Sequence, residues 1–288
     1  MAEARLDKAR CGMAAFDLDG TIVHDFGLTP SEAVRKALNA LKESGVTVVL
    51  SSGRDLSQVH PEMLKCFSYA VLTNGSCIVD VPSGELIWSR SMDWMSLYRA
   101  MKKLEKRGGY CFLMQNGVIR GTEEGERLVA ATMLKDLSGD NLIEGYTGQG
   151  TRYKRALEAV NPFARPTYKV QVFFRNRDDC SVAFDELKNE RGLAVLKMFG
   201  TTIEITAAGV TKAVALDVLC GKFGHAPGSY AAFGDSRNDL EMLQAASFAV
   251  AMENGEDCVK EIADYIAPPV TEDGAAEAIY ELYGIRRQ

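Results

Sequence analysis

The stretch Phe16-Asp17-Leu18-Asp19-Gly20-Thr21 decides how this chain is read. It follows the apolar run Met13-Ala14-Ala15-Phe16, which reads as a buried strand. Alternate residues of an extended segment point the same way, so Asp17 and Asp19 are expected to converge. Two close carboxylates repel, and each raises the other's pKa unless a cation lies between them. Such a pair either holds a hard divalent metal through oxygen or divides nucleophilic and acid/base work. A polar strand end with a glycine turn is the plainer alternative. These residues alone do not choose, and the choice falls to distant parts of the chain.

Downstream, Thr29-Pro30-Ser31-Glu32 predicts a helix start. Thr29 is the expected N-cap, Pro30 suits the first helical position, and Glu32 completes a capping box. Ala33, Ala37, Leu38 and Leu41 form the expected buried stripe, and Gly45 ends the helix. Val46 to Leu50 is a second strand running into Ser51-Ser52-Gly53-Arg54. A helix over 56–66 leads to a third strand, Tyr69 to Leu72, which ends at Thr73-Asn74-Gly75-Ser76. This is the strand–helix–strand order of a parallel sheet, whose ligands bind at the carboxyl ends of the strands.

From about residue 83 the texture changes to hairpins between helices. Asn116-Gly117 is a strong hairpin turn, and 138–150 reads as a polar, glycine-rich loop. The α/β texture returns with a helix from Thr211, a strand from Tyr230 to Phe233, and the turn Gly234-Asp235-Ser236-Arg237-Asn238-Asp239. The expected fold is α/β: a doubly wound parallel-sheet core from residues 1–82 and 208–288, with an α+β domain inserted at 83–207.

The formal net charge of -6 argues against a general nucleic-acid binder but not against a phosphorylated small molecule. The seven cysteines contain no Cys-x-x-Cys pair. They read as reduced thiols of a cytoplasmic protein, not as a disulfide framework or a zinc site. Met1 to Arg10 is too polar for a secretory signal, and no apolar run approaches membrane-span length.

The chemistry-bearing residues fall at the ends of predicted strands and helices. Asp17 and Asp19 follow the first strand, Ser52 the second, and Asp235 and Asp239 a late one. Lys212 opens a helix, where a cation opposes the helix dipole unless an anion shares that end. Taken singly, Lys212 reads as a solvated surface lysine and Ser52 as turn chemistry. Taken together, three carboxylates for a metal with a lysine and a hydroxyl for an anion imply phosphate chemistry with magnesium.

The set Asp17-Leu18-Asp19-Gly20-Thr21, Ser52-Gly53-Arg54, Thr73-Asn74-Gly75, Gly209-Val210-Thr211-Lys212 and Gly234-Asp235-x-x-Asn238-Asp239-x-x-Met242-Leu243 resembles the haloacid dehalogenase-like superfamily. More narrowly, it is similar to the Cof-like phosphatases, whose cap is inserted after the third core strand. Val250-Ala251-Met252-Glu253-Asn254-Gly255 and Glu272-Asp273-Gly274 extend the similarity. The resemblance implies a Rossmann-like core and hydrolysis of a small phosphorylated metabolite, a sugar phosphate first. Asp17 would be the nucleophile and Asp19 the general acid and base. Mg2+ would be held by the Asp17 carboxylate, the Asp19 backbone carbonyl and Asp235, with Asp239 in support. Ser52, Lys212 and Asn238 would bind the phosphoryl group, and Gly53, Arg54 and Asn74 the rest of the substrate. Cap closure would exclude water and select the leaving group. A monomer or weak dimer with no nucleic-acid or membrane partner is expected.

Serine at 52 and glycine at 255 depart from the commoner threonine and alanine without removing a needed group. The insert carries no substrate signature; Arg120, Arg152, Arg155, Lys169, Arg175 and Arg177 read mostly as solvated charge. Two other functions fit the same residues: a sugar phosphomutase or phosphotransferase, and a non-catalytic sugar-phosphate binding protein.

Overall fold

The computed structural model describes residues 12–24, 29–115, 117–133, 153, 155–160, 165–198 and 200–287. The expected loop at 138–150, Asn116 and Arg152 lie outside them. In chain order the elements are β1 (Met13–Phe16), α1 (Glu32–Glu43), β2 (Thr47–Ser51), α2 (Pro61–Leu64), β3 (Tyr69–Leu72), β4 (Cys77–Asp80) and β5 (Glu85–Ser89). Then come α3 (Trp94–Lys106), β6 (Tyr110–Met114), β7 (Ile119–Arg120), α4 (Glu123–Met133), β8 (Lys169–Phe173), α5 (Arg177–Leu187), β9 (Leu193–Lys197) and β10 (Thr202–Ala207). The chain finishes with α6 (Lys212–Lys222), β11 (Ala231–Gly234), α7 (Leu240–Ala245), β12 (Phe248–Met252), α8 (Asp257–Lys260), β13 (Tyr265–Ala267) and α9 (Gly274–Tyr283). They fall into two compact units. One comprises Met1–Gly53, Val59–Trp88 and Thr211–Gln288, the other Arg54–Gln58 and Ser89–Val210.

The first unit is built on an eight-stranded sheet in the order β13-β12-β11-β1-β2-β3-β4-β5. The strands from β13 to β3 pair in parallel, and β4 runs antiparallel to β3. Strand order therefore advances in opposite directions from the β11–β1 junction, the switch point where doubly wound sheets bind ligands. β1 reads as an unbroken apolar run because both its faces are covered: Met13 to Phe16 are fully buried. The Phe16 and Phe233 rings stack across the junction with centroids 4.3 Å apart.

Two local expectations are corrected. Helix α1 starts at Glu32 with Ser31 as N-cap, whose hydroxyl accepts from Val34 N at 3.1 Å. Thr29 is thus not the cap, and Val34 takes the buried place expected of Ala33. The helix expected over 56–66 is split into a short 3-10 turn, Leu56–Gln58, and α2. Pro61 lacks an N–H and is accommodated only at a helix start, where His60 caps it.

The turn after β3 is unusually constrained. Thr73 and Asn74 have φ of 51° and 57°, left-handed values that cost non-glycine residues energy. Gly75 follows at φ 95°, and a Cβ there would lie 2.1 Å from the Thr211 carbonyl oxygen. The turn thus packs backbone to backbone on the start of α6. Gly75→Ala is expected to destabilise the protein by about 2–4 kcal/mol in chemical denaturation, adding steric overlap to backbone strain.

The second unit holds a five-stranded sheet in the order β7-β6-β8-β10-β9, with antiparallel neighbours. Alternation sorts its residues by face. Cys111, Leu113, Val170, Val172, Ile203 and Ile205 join Leu97, Met101 and Leu104 of α3 and Cys180 and Leu187 of α5 in one core. Phe112, Met114, Ile119 and Phe173 pack with Val129 of α4 in another. Lys169, expected as solvated charge, is instead buried with Glu204 at 2.5 Å. They sit diagonally on adjacent strands, because Lys169 is opposite Thr206 and Gln171 opposite Glu204. Arg155 and Arg175 keep mostly exposed side chains, paired with Glu105 and Glu124. Among the described residues no helix is long and apolar enough to cross a membrane.

Candidate active site

The site is assembled at the switch point, where β1 and β11 end side by side. The strand pairing continues one step beyond β1, through Asp17 N donating to the Phe233 carbonyl at 2.9 Å. The chain then turns sharply: the Leu18 carbonyl accepts from Ile22 N and Val23 N, both at 3.0 Å. Asp17 is left buried. Asp19 lies beyond the strand, so the alternation that would converge it with Asp17 no longer applies. The carboxylates that do gather are Asp17, Asp235 and Asp239, each with an oxygen within 4.8 Å of the others; Asp19 is not in this set.

Glycines make that gathering possible. Gly20 has φ 79°, and a Cβ on it would lie 2.3 Å from Asp235 Oδ2. A Cβ on Gly234 would lie 2.7 Å from Asp239 Cβ and Cγ. Asp239, fully buried, folds back over its own turn: Oδ2 accepts from Asp235 N at 3.1 Å and Ser236 N at 3.2 Å. Thr21 Oγ1 donates to Asp235 Oδ1 at 3.3 Å. Sequence reasoning gave Thr21 no role, although its hydroxyl follows the glycine of the opening motif.

Lys212 is the first residue of α6, behind the N-cap Thr211. It is not the solvated lysine that its sequence position alone suggests, being 2% exposed. Its Nζ donates to Asp17 Oδ1 at 2.5 Å and Asp239 Oδ1 at 2.6 Å. The anions that offset a cation at a helix start are here two side chains of the protein itself. Ser52 is buried at the end of β2, with its N–H on the Val71 carbonyl and its own carbonyl accepting from Asn74 N at 3.2 Å. Ser52, Gly53 and Asn74 are therefore joined through the β2 and β3 exits. Asn238 Oδ1 accepts from Ser236 Oγ at 2.7 Å beside Asp235. Arg54 belongs to the other unit and donates to the Gln58 carbonyl at 3.1 Å.

Two buried carboxylates, Asp17 and Asp239, thus share one ammonium, with the half-buried Asp235 beside them. Burial, with Asp239 adding repulsion, holds Asp17 well above the usual carboxylate range despite Lys212. The same two causes push Asp235 up to about 7, opposed by Lys212 and the Thr21 hydroxyl. Burial pulls Lys212 down, but Asp17 and Asp239 outweigh it and keep the ammonium charged above its ordinary range. An all-oxygen donor set with surplus negative charge suits a hard divalent cation, so the residues fit a metal ion. One consequence is testable without any substrate. Asp235→Asn is expected to raise the Tm of chelator-treated protein at pH 8, by about 2–4 °C for each kcal/mol of repulsion removed.

A family model of haloacid dehalogenase-like hydrolases matches residues 14–279. The 5-amino-6-(5-phospho-D-ribitylamino)uracil phosphatase YcsE of Bacillus subtilis is 31% identical over 269 residues, covering 93% of this chain and 94% of that protein. Among solved structures, a haloacid dehalogenase-like hydrolase from B. subtilis superposes with a TM-score of 0.80 at 23% identity, covering 94% of this chain and 99% of that one. The HAD subclass IIB sugar phosphatase BT4131 gives 0.77 at 20% identity, covering 95% and 99%. The match spans nearly the whole chain, including both segments that carry the clustered aspartates, so the protein belongs to the haloacid dehalogenase-like hydrolases and is a phosphatase of that family.

Proposed function

We propose that this protein hydrolyses the phosphomonoester of a small metabolite, with Mg2+ as cofactor and Asp17 as the residue that takes up the phosphoryl group. The observation that carries the reading is the pairing of buried Asp17 with Lys212 at the switch point, with Asp235 and Asp239 completing an oxygen-donor set.

Asp17 attacks phosphorus, the bond from phosphorus to the ester oxygen breaks, and Asp19 protonates the departing alkoxide. Asp19 then takes a proton from water as that water attacks the aspartyl-phosphate. The acyl phosphate bond breaks, phosphate leaves, and Asp17 is restored as a carboxylate. Lys212, Ser52 and Asn238 hold the phosphoryl oxygens, with Gly53 and Asn74 beside them. Holding the carboxylate in line makes the attack effectively unimolecular. Lys212 opposes the negative charge that spreads over the phosphoryl oxygens. Asp17, Asp235, Asp239 and the Asp19 backbone carbonyl would hold Mg2+, which when bound would add neutralising charge and favour the ionised form of Asp17.

The unit built on the eight-stranded sheet supplies the catalytic core, and the unit of Ser89–Val210 the inserted cap. The described cysteines are free thiols, which supports a reducing compartment such as the cytoplasm. A sugar phosphate or a phosphorylated sugar alcohol is the favoured substrate class. The relative named for a phosphoribityl compound supports it. Ranking kcat/KM for phosphate release tests this, with sugar phosphates, the phosphoribitylaminouracil, flavin mononucleotide, pyridoxal phosphate and nucleotides compared. Sugar-derived esters leading the ranking by about tenfold or more is the expected result. A leading nucleotide or pyridoxal phosphate would replace the substrate class.

A further inference from the structure

Asn254 stands just past β12 with an exposed side chain, yet both ends of its amide are used. Its Nδ2 donates to the Gly20 carbonyl at 2.8 Å, and its Oδ1 accepts from Val270 N at 2.8 Å. An asparagine carries one donor end and one acceptor end; aspartate and alanine cannot do both jobs. The next two residues hold the other acid-bearing turn. A Cβ on Gly255 would lie 2.7 Å from the Asp235 carbonyl oxygen. Glu256 N donates to that same oxygen at 2.8 Å, and Glu256 Oε1 accepts from Arg237 N at 3.0 Å.

Residues 254–256 therefore tie the turn after β1 to the turn after β11. These turns bear Asp17 and Asp235, whose like charges push them apart. Strand pairing at this junction ends at the bond from Asp17 N to Phe233 O, and Gly20 lies three residues further on. The Asn254 amide is a fixed attachment for Gly20, the residue whose missing Cβ lets the Asp235 carboxylate approach.

We propose that Asn254 is a positioning residue for the metal centre, its amide holding the Gly20 carbonyl so that Asp17 and Asp235 stay at ligand spacing. The proposal rests on the metal-dependent phosphatase reading above. Asn254→Asp separates the two bonds: it keeps an acceptor for Val270 N but sets an oxygen against the Gly20 carbonyl. Asn254→Ala removes both. Mg2+ affinity is measured by calorimetry on the protein without substrate, alongside Tm, kcat and KM. Both variants are expected to bind Mg2+ about three- to tenfold more weakly, the worth of one neutral hydrogen bond. Asn254→Asp should be affected at least as much as Asn254→Ala, with KM at saturating Mg2+ within about twofold of the wild type. Wild-type Mg2+ affinity in Asn254→Asp overturns the proposal while leaving the phosphatase reading intact. A wild-type protein that neither binds Mg2+ nor releases phosphate overturns both.

Discussion

Lys212→Met is expected to lose stability and activity together. Lys212 is the ammonium that touches the two buried carboxylates, Asp17 and Asp239, with half-buried Asp235 beside them. Removing one partner of a buried ion pair costs about 3–5 kcal/mol, because the remaining charge has neither water nor a counterion. For a chain of this size that corresponds to a Tm loss on the order of 10 °C. Added Mg2+ should recover part of the loss, since a divalent cation among the carboxylates replaces the missing positive charge. Activity at saturating Mg2+ should still fall about 100- to 1,000-fold, the usual effect of deleting one donor to developing transition-state charge. Differential scanning calorimetry with chelator and with Mg2+, followed by kinetics, checks both parts. A Lys212→Met protein with wild-type Tm in chelator would contradict the charge balance described here.

Asp17→Asn is expected to do the reverse. The amide keeps the shape of the side chain and removes one of three repelling carboxylates, so Tm in chelator should match or exceed the wild type. Phosphate release should fall by about 10^4-fold or more, as when an enzyme loses its nucleophile. Burial already disfavours the charged form of this group, so a neutral replacement leaves the fold less burdened. A variant that unfolds is uninformative about chemistry; one that is folded and inactive separates the nucleophile from the scaffold. Circular dichroism and steady-state phosphate release on the same preparation make that separation.

Much of the sheet, and the gathering of Asp17, Lys212, Asp235 and Asp239, was legible because the signals were local. Each core motif sits at the carboxyl end of an apolar run, and in a parallel sheet those ends share one edge. The Asp235 turn announced itself in the same way, as did the lysine opening a helix. What was missed depended on the path of the chain after a motif. β1 stops at Phe16 and a turn follows, so strand alternation does not set where Asp19 lies relative to Asp17. Asp17 gathers with Asp235 and Asp239, more than 200 residues away in sequence. The contacts of Thr21 with Asp235 and of Asn254 with Gly20 span similar distances, and no local pattern encodes them. Asn254 stood inside a quoted motif and still carried no visible role. The burial of Lys169 has a related cause: its partner Glu204 lies on another strand, and the register that brings them together exists only in the folded sheet.

The most direct test is phosphate release by the wild-type protein across the ester panel, with Mg2+, with chelator, and with Mg2+ restored. Turnover that appears with Mg2+, vanishes with chelator and returns on adding the metal back is the expected result. Turnover that persists in chelator, or survives in Asp17→Asn, would contradict a metal-dependent transfer to Asp17.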